Sequence, residues 1–193
     1  VNSLDVTFDV RCGGGSATPA DGWSFCVGPD LPAAGWGEEG PTTAGLVVAF
    51  DIYDNGGGEA PAITLRFGGA QLAEVKPGIA AMTTGAGFVP ARVLVESDGS
   101  LDVWFNNNKI FDNIYLPYQP LGFLKYGFGA RTGGLNQNHF IDNLSITTTT
   151  GLLTPAVTRQ PADTVALENA DVVFSVTVND PSATIQWQKN NVD

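Results

Sequence analysis

Apolar and polar residues alternate along most of the first 147 positions, with the two-residue period of β-strands that bury one face. A nearly continuous apolar run over residues 45–53 predicts a central strand that is buried on both faces. Eight or nine strands are expected, in an antiparallel β-sandwich with its long loops gathered at one end. The alternating segments are 6–10, 23–27, 63–67, 92–96, 101–105, 109–114, 125–130 and 140–147.

Turn-forming residues separate these segments where hairpins are expected. Asp98-Gly99 lies between two alternating segments, and this dipeptide is a strong signal for a tight hairpin. Asn106, Asn107 and Asn108 turn the chain again, because asparagine tolerates a positive φ. The sequence therefore predicts two consecutive hairpins between residues 92 and 114.

A threonine-rich run followed by Gly151 predicts a linker between two domains. We expect a first domain over residues 1–149, a linker over residues 150–154 and a second domain over residues 155–193. The first of these begins directly at what is expected to be an inner strand, so we expect it to be truncated at its N-terminus.

The segment after the linker carries a different pattern. Val172, Phe174, Val176 and Val178 alternate, and Trp187 follows on the next expected strand. This pattern resembles an immunoglobulin-like domain of bacterial surface proteins, without the cysteine of an inter-sheet disulfide. Because only 39 residues are present and such a sandwich needs about 100, the resemblance implies a partial immunoglobulin-like β-sandwich, truncated at its C-terminus.

Composition narrows the classes of partner. Nine basic and twenty acidic side chains give a formal net charge of −11, whereas binding to nucleic acid needs clustered Lys and Arg. The hydrophobic content of 43% is ordinary for a globular chain and argues against disorder. No apolar run approaches the roughly 18–20 residues that span a bilayer. We therefore expect neither nucleic-acid binding nor membrane insertion.

The two cysteines, Cys12 and Cys26, flank a glycine-rich turn. They are either paired across a hairpin in an oxidising compartment or buried as free thiols that act as small apolar side chains. Two cysteines alone do not decide between these alternatives.

Three separated segments carry short motifs in a fixed order. Residues 20–25 read Ala-Asp-Gly-Trp-Ser-Phe, residues 51–55 read Asp-Ile-Tyr-Asp-Asn, and residues 127–133 read Gly-Phe-Gly-Ala-Arg-Thr-Gly. They resemble, in that order, the Ala-Asp-Gly strand entry, the Asp-x-Tyr/Phe-x-Asn loop and the late Gly-Phe-x-Ala-x-Thr-Gly strand of legume-type (L-type) lectins. The resemblance implies an all-β, concanavalin A-like sandwich, or jelly roll, over the first domain.

The resemblance also implies a sugar-binding site. In the family, the Asp of Ala-Asp-Gly follows a cis peptide bond and accepts hydrogen bonds from sugar hydroxyls, and here that residue is Asp21. Asn55 is expected to donate to a hydroxyl, and Tyr53 to offer its ring as a stacking face.

Two glycine-containing loops complete the implied sugar site. Backbone donors are expected from Gly37 in the first loop and from Gly134 and Leu135 in the second, which covers residues 132–137. Trp36 either covers the apolar face of a sugar or closes its own loop as a hydrophobic plug.

The Asp-x-Tyr-x-Asn spacing has a physical logic of its own. Where a strand ends and curls, the Asp51 carboxylate, the Tyr53 carbonyl and the Asn55 side-chain oxygen can converge on one hard cation, with waters completing the roughly six to eight oxygens of calcium. Glu59 adds a carboxylate near the position of the family's acidic ligand. The alternative is a solvated hairpin tip. Legume lectins also hold a transition metal through a Glu where this chain has Ala49, so we expect calcium alone.

These observations predict a calcium-dependent carbohydrate-binding (lectin) module of a secreted or cell-surface multidomain protein. Its expected partner is a glycan or cell-wall polysaccharide, and its expected role is adhesion. The alternative is a structural subunit or spacer of an extracellular fibre or adhesin stalk, which assembles with neighbouring subunits and binds no sugar.

A glycosidase resembling laminarinases is a third function class. Retaining hydrolysis needs two carboxylates about 5 to 5.5 Å apart, which that family carries as Glu-x-Asp-x-x-Glu on one strand. The central strand of this chain offers only Asp51. We therefore expect no enzymatic activity.

Overall fold

A computed structural model describes residues 3–33, 35–41, 43–117, 125–149, 156–178 and 184–188. The chain divides into two compact units, Val1–Thr150 and Gly151–Asp193. Among the residues described, no helix has the length and apolar character needed to cross a membrane. The expected linker over residues 150–154 lies outside the described residues, and the finer domain boundaries drawn from the sequence stay predictions.

The described part of the first unit forms ten strands and one helical turn. The elements are β1 (Ser3–Gly13), β2 (Gly22–Gly28), β3 (Leu46–Asp51), β4 (Ala62–Phe67), β5 (Ala70–Val75), α1 (Ile79–Met82), β6 (Val89–Val95), β7 (Ser100–Phe105), β8 (Asn108–Tyr115), β9 (Lys125–Arg131) and β10 (Asn138–Thr149). The back sheet has the strand order β10-β1-β6-β7-β8, and the front sheet has the order β5-β4-β3-β2-β9. Every pairing is antiparallel, which confirms the all-β antiparallel prediction.

The apolar faces of the two sheets pack against each other. Phe8 of the back sheet contacts Trp23 of the front sheet edge to face, with ring centroids 6.0 Å apart. Trp23 stacks on Phe50 at 4.2 Å, and Phe50 contacts Phe105 of the back sheet at 5.0 Å. Such pairs add about 0.5–1.5 kcal/mol each beyond the burial of apolar area. Alternation along β1 therefore places every second residue in one shared core.

The predicted central strand and hairpins are present. Every residue of β3 is buried, as expected of a strand covered on both faces. β6 and β7 are joined at Asp98-Gly99, where Asp98 accepts a hydrogen bond from the Ser100 amide at 2.9 Å. Asn106 and Asn107 have φ values of 50° and 61° and connect β7 to β8.

Two elements were missed by the pattern of alternation. β5 is an edge strand whose residues are exposed or half-buried, so it carries no apolar face of period two. The α1 helix is a single turn, in which only Met82 is buried. Neither element has the repeated apolar positions from which secondary structure is predicted.

The described residues of the second unit do not form the expected immunoglobulin-like sandwich. Its described residues form two short strands, β11 (Val157–Arg159) and β12 (Thr177–Val178), which pair with each other. Of the residues whose alternation suggested the fold, Phe174 and Trp187 are 52% and 51% exposed, and Val176 and Val178 are half-buried. Within residues 156–178 and 184–188 no second sheet covers the apolar side chains of these two strands, so the alternation produces no core there.

Both cysteines are buried free thiols, so the structure has the unpaired alternative. Cys12 belongs to the core between the sheets, whereas Cys26 lies in a smaller cluster with Leu31, Val47 and Ala49. Burial raises the pKa of Cys12 to about 12 and also raises the pKa of Cys26.

We expect neither thiol to react with the chromogenic thiol reagent DTNB in the folded protein. The thiolate is the reactive form, and burial both excludes the reagent and disfavours the anion. In guanidinium chloride without reductant, both thiols should titrate. Denatured protein that shows no free thiol would reveal a disulfide and contradict the structure.

Candidate functional site

Three segments that are far apart in the sequence meet at one edge of the front sheet. β2 lies between β3 and β9, and in an antiparallel sheet the start of a strand lies beside the ends of its neighbours. Gly22 is accordingly paired with Asp51 on one side and with Arg131 on the other. The loops that follow β3 and β9 therefore flank Asp21, the residue before β2.

The backbone around Asp21 is held on both sides. Its amide donates to the Arg131 carbonyl at 2.9 Å, and its carbonyl accepts from the Ile52 amide at 2.9 Å. A Cβ atom at Gly22 would lie 2.0 Å from the Phe50 carbonyl oxygen, so only glycine fits this close approach. The Ala20–Asp21 peptide bond is cis, as the resemblance implies.

A cleft of about 390 Å³ lies at this edge, within the range of small-ligand sites. Five of the residues that the sequence assigned to sugar binding line it: Asp21, Tyr53, Asn55, Gly134 and Leu135. The remaining lining residues are Ala20, Arg131, Thr132 and Gly133. The structure therefore brings together residues from all three motifs.

Trp36 and Gly37 lie in a different place, on the covering loop (residues 31–33 and 35–40). A Cβ atom at Gly127 or Gly129 of β9 would lie 2.6 or 2.0 Å from the Trp36 ring, so the indole packs flat on these two glycines. Trp36 joins the cluster of Cys26 under the loop. Of the two alternatives for this residue, the structure has the hydrophobic plug.

Gly37 lies behind the cleft rather than in its lining. Its carbonyl accepts a hydrogen bond from the Ser24 hydroxyl at 2.9 Å, and a Cβ atom there would lie 3.1 Å from the Cβ of Arg131. Gly37 thus fixes the covering loop against the sheet.

The four residues assigned to calcium lie at the end of β3 and in the loop after it. Asn55 Nδ2 donates to the Tyr53 carbonyl at 3.3 Å, and the Asn55 amide donates to Glu59 Oε1 at 2.6 Å. The Tyr53 amide donates to Asp51 Oδ1 at 3.3 Å. Local hydrogen bonds therefore connect the four candidate calcium ligands at the end of β3 and in the loop that follows it. In the described part of the chain, no three His, Cys, Asp or Glu side chains are arranged to hold a metal ion.

Sequence reasoning missed two charged residues at this edge, Arg131 and Glu38. Arg131 Nε donates to Asp21 Oδ2 at 3.1 Å, and Arg131 Nη2 donates to Glu38 Oε1 at 2.6 Å. Glu38 is 1% exposed, and its Oε2 has no hydrogen-bond partner among the described residues. Arg131 occupies a variable position of its motif, which was the available signal, whereas Glu38 comes from a distant loop without one.

Negative charge exceeds positive charge around the cleft. Asp21, Glu38 and Asp51 are all buried, and Arg131 is the cation that pairs with two of them. Burial, followed by the nearby carboxylates of the Glu residues at positions 38, 39 and 59, raises the pKa of Asp51 to about 6. An additional cation at this edge would be stabilised electrostatically.

Comparisons with known proteins rest on structure. No protein-family model matches the chain, and no curated protein matches its sequence. The exoplasmic/lumenal domain of VIP36, in its Ca²⁺- and mannose-bound form, is similar with a TM-score of 0.61 and 18% identity, over 80% of this chain and 71% of that one. The carbohydrate recognition domain of Emp47p is similar with a TM-score of 0.56 and 18% identity, over 77% and 72% of the chains.

A plant lectin shows the same likeness. The lectin from Bauhinia forficata, in complex with GalNAc, has a TM-score of 0.57 and 19% identity, over 75% of this chain and 72% of that one. At this identity the similarities establish the fold, an antiparallel β-sandwich shared with L-type lectin domains. They confirm the fold that the three motifs implied for the first unit.

We expect Gly129→Ala to displace the covering loop. The added methyl group would meet Trp36 and the Gly37 carbonyl, at 2.0 and 2.8 Å from its Cβ position. Overpacking of this kind costs about 1–3 kcal/mol of unfolding free energy, measurable by denaturant titration.

Gly87→Ala is the matched control, because its Cβ position has open space, and it should change stability by less than about 0.5 kcal/mol. Equal stability of the two variants would contradict the packing of Trp36 on β9.

Proposed function

We propose that the first unit is a calcium-dependent carbohydrate-binding (lectin) module. The observation that carries the proposal is the cleft in which Asp21, Tyr53, Asn55, Gly134 and Leu135 meet beside a loop of oxygen donors. Its lining combines the buried carboxylate of Asp21, amide groups and the aromatic ring of Tyr53. This combination suits a polyhydroxylated ligand, which has both hydroxyl groups and apolar faces. The chain would act by binding, without chemical conversion of the glycan.

The loop after β3 fits a hard cation. Asp51 and Glu59 offer carboxylates, Tyr53 a backbone carbonyl and Asn55 a side-chain amide oxygen, and calcium prefers such oxygen donors. The excess of buried carboxylates over cations at this edge supports a divalent ion. When bound, the ion would supply positive charge and take the Tyr53 carbonyl and the Asn55 side-chain oxygen as ligands. Asn55 Nδ2 would then exchange its hydrogen bond to the Tyr53 carbonyl for one to a sugar hydroxyl.

Asp21 is the principal acceptor for the ligand. It is 7% exposed, and a buried carboxylate with a fixed backbone presents its free oxygen in one direction. Hydrogen bonds to a charged acceptor contribute about 1.5–3 kcal/mol each. The ring of Tyr53 and the loop that contains Gly134 and Leu135 complete the contact with the sugar.

The same comparison supports a class of ligand and a location. The structural neighbours hold mannose, Man3GlcNAc or GalNAc, so glycans with these termini are the first candidates for this chain. One neighbour is an exoplasmic/lumenal domain, which supports a secreted or cell-surface setting. Adhesion to a glycan or to cell-wall polysaccharide is the role we propose.

One feature supports the second candidate, a structural subunit. β10 is an edge strand of the back sheet, and its side chains Phe140, Leu144 and Ile146 are 46%, 48% and 37% exposed. Exposed edge strands pair with other chains. A filament that gives no signal with any glycan would favour the structural role over the lectin.

We expect the wild-type protein to bind one calcium ion, measured by calorimetry, and to melt at a higher temperature with calcium. Binding to the native state alone stabilises by about 2.7 kcal/mol at a hundredfold excess over Kd.

Asn55→Ala should lose both ion and sugar, because it removes an ion ligand and a sugar donor. Asn108→Ala, at the exposed first residue of β8, is the control. Stoichiometric manganese, or an unchanged melting temperature with calcium, would contradict the proposal.

We expect Asp21→Asn to lose measurable glycan binding while folding and calcium affinity are retained. Arg131 Nε donates to Asp21 Oδ2, so the Asn oxygen would stay on Arg131 and its NH₂ group would face the ligand. An acceptor would become a donor, at a cost of tenfold or more in affinity, since tenfold corresponds to about 1.4 kcal/mol.

Asp98→Asn, in an exposed hairpin turn, is the matched control and should bind as the wild type does. Measurements on a glycan array decide the matter. An Asp21→Asn variant that binds the same glycan equally well would place the sugar site elsewhere on the protein.

A further inference from the structure

Arg131 is held in the cleft by two acidic residues that use the same edge of its guanidinium group. Nε donates to Asp21 and Nη2 donates to Glu38. Asp21 and Glu38 are buried, and the Arg131 side chain is 52% exposed. The two buried carboxylates therefore hold the guanidinium group in place, while part of the Arg131 side chain lines the cleft.

The end-on edge of this group donates to no residue that the structure describes. A guanidinium group has five N–H donors in a rigid plane, and two of them are used here. One hydrogen of Nη1 and the second hydrogen of Nη2 form an end-on pair that two neighbouring oxygen atoms can accept together. Asp21 Oδ1 likewise takes no hydrogen bond from the described residues. One fixed acceptor and one fixed donor pair thus lie side by side in the cleft.

Arg92 of the back sheet provides a contrast. Its Nε and Nη2 both donate to the single carboxylate of Asp5, at 2.8 Å each, and its guanidinium carbon lies 5.2 Å from the centroid of the Trp104 ring. The Arg92 side chain is 41% exposed. It is comparable to Arg131 in exposure and pairing but lies on the other sheet of the sandwich.

The charge around Arg131 favours neutral oxygen atoms over anions. Asp21, Glu38, Asp51 and Glu59 place four carboxylates at this edge, so negative charge stays in excess even when Arg131 and the proposed divalent ion are counted together. A carboxylate on the ligand would add a third acidic group within reach of the same guanidinium group, and like charges at such distances repel. The net charge of −11 on the chain adds to this effect.

We infer that Arg131 is a specificity-determining residue, which makes the cleft select neutral glycans that present adjacent oxygen atoms. In this arrangement one sugar hydroxyl donates to Asp21 Oδ1, and two neighbouring sugar oxygens accept from the end-on edge of Arg131. Sialylated and uronic acid-containing glycans are rejected by the surrounding carboxylates. This inference rests on the proposed lectin function and adds the class of sugar.

The test uses an array that carries neutral oligosaccharides ending in mannose, N-acetylglucosamine or N-acetylgalactosamine, together with sialylated and uronic acid counterparts, in calcium-containing buffer. The wild type should bind neutral members best. Arg131→Lys retains the charge but lacks the planar donor pair, so its affinity for the best neutral glycan should fall about tenfold. Arg92→Lys is the matched control and should stay within about twofold of the wild type.

Calcium binding and thermal melting of both variants show whether each has folded. If Arg131→Lys fails to fold, NMR spectra of arginine side chains in the wild type take its place. The best neutral glycan should then shift the Nε–H signal of Arg131 and leave that of Arg92 unchanged.

The possible results separate the inference from the proposed function. A wild type that binds no glycan overturns both the lectin proposal and the inference. A wild type that binds while Arg131→Lys binds equally well, or while the Arg131 signal does not move, overturns only the inference. A preference for acidic glycans over their neutral counterparts also overturns it.

Discussion

The pairing of Gly22 with Asp51 on one side and Arg131 on the other is the constraint on which the candidate site depends. It places the start of β2 between the ends of β3 and β9, so three motifs that together span residues 20–133 of the chain meet at one edge. The approach is so close that a Cβ atom at Gly22 would lie 2.0 Å from a carbonyl oxygen. The close approach therefore requires glycine at position 22, and it fixes the backbone position of the preceding residue, Asp21.

The covering loop determines how the charged side chains at this edge are arranged. Trp36 packs on Gly127 and Gly129, two positions of β9 that carry no side chain. The loop held by this contact carries Glu38 to Arg131, and Arg131 in turn reaches Asp21. The glycine-containing motif of β9 thus forms a strand of the sheet and also provides the surface on which Trp36 packs. Packing on the outer face and the orientation of a polar residue in the cleft depend on the same loop.

Buried carboxylates at this edge have a clear electrostatic consequence. Burial of a charge is costly unless it is paired, and here Arg131 serves two acidic residues while Asp51 pairs with no cation among the described residues. A region with this balance accommodates an additional cation readily and an additional anion poorly. The same arrangement therefore bears both on the proposed ion and on the proposed class of sugar.

The sequence by itself determined the β-rich architecture, the buried central strand, both hairpins and the three motifs, because alternation and turn residues act over a few neighbouring positions. Only the tertiary structure decided that Trp36 is a plug, that both thiols are free and that Glu38 reaches Arg131 across 93 positions. In the second unit, local alternation even predicted a sandwich that the described residues do not form. Contacts across such separations depend on strand register and on which sheet covers which face, and no local pattern carries that information.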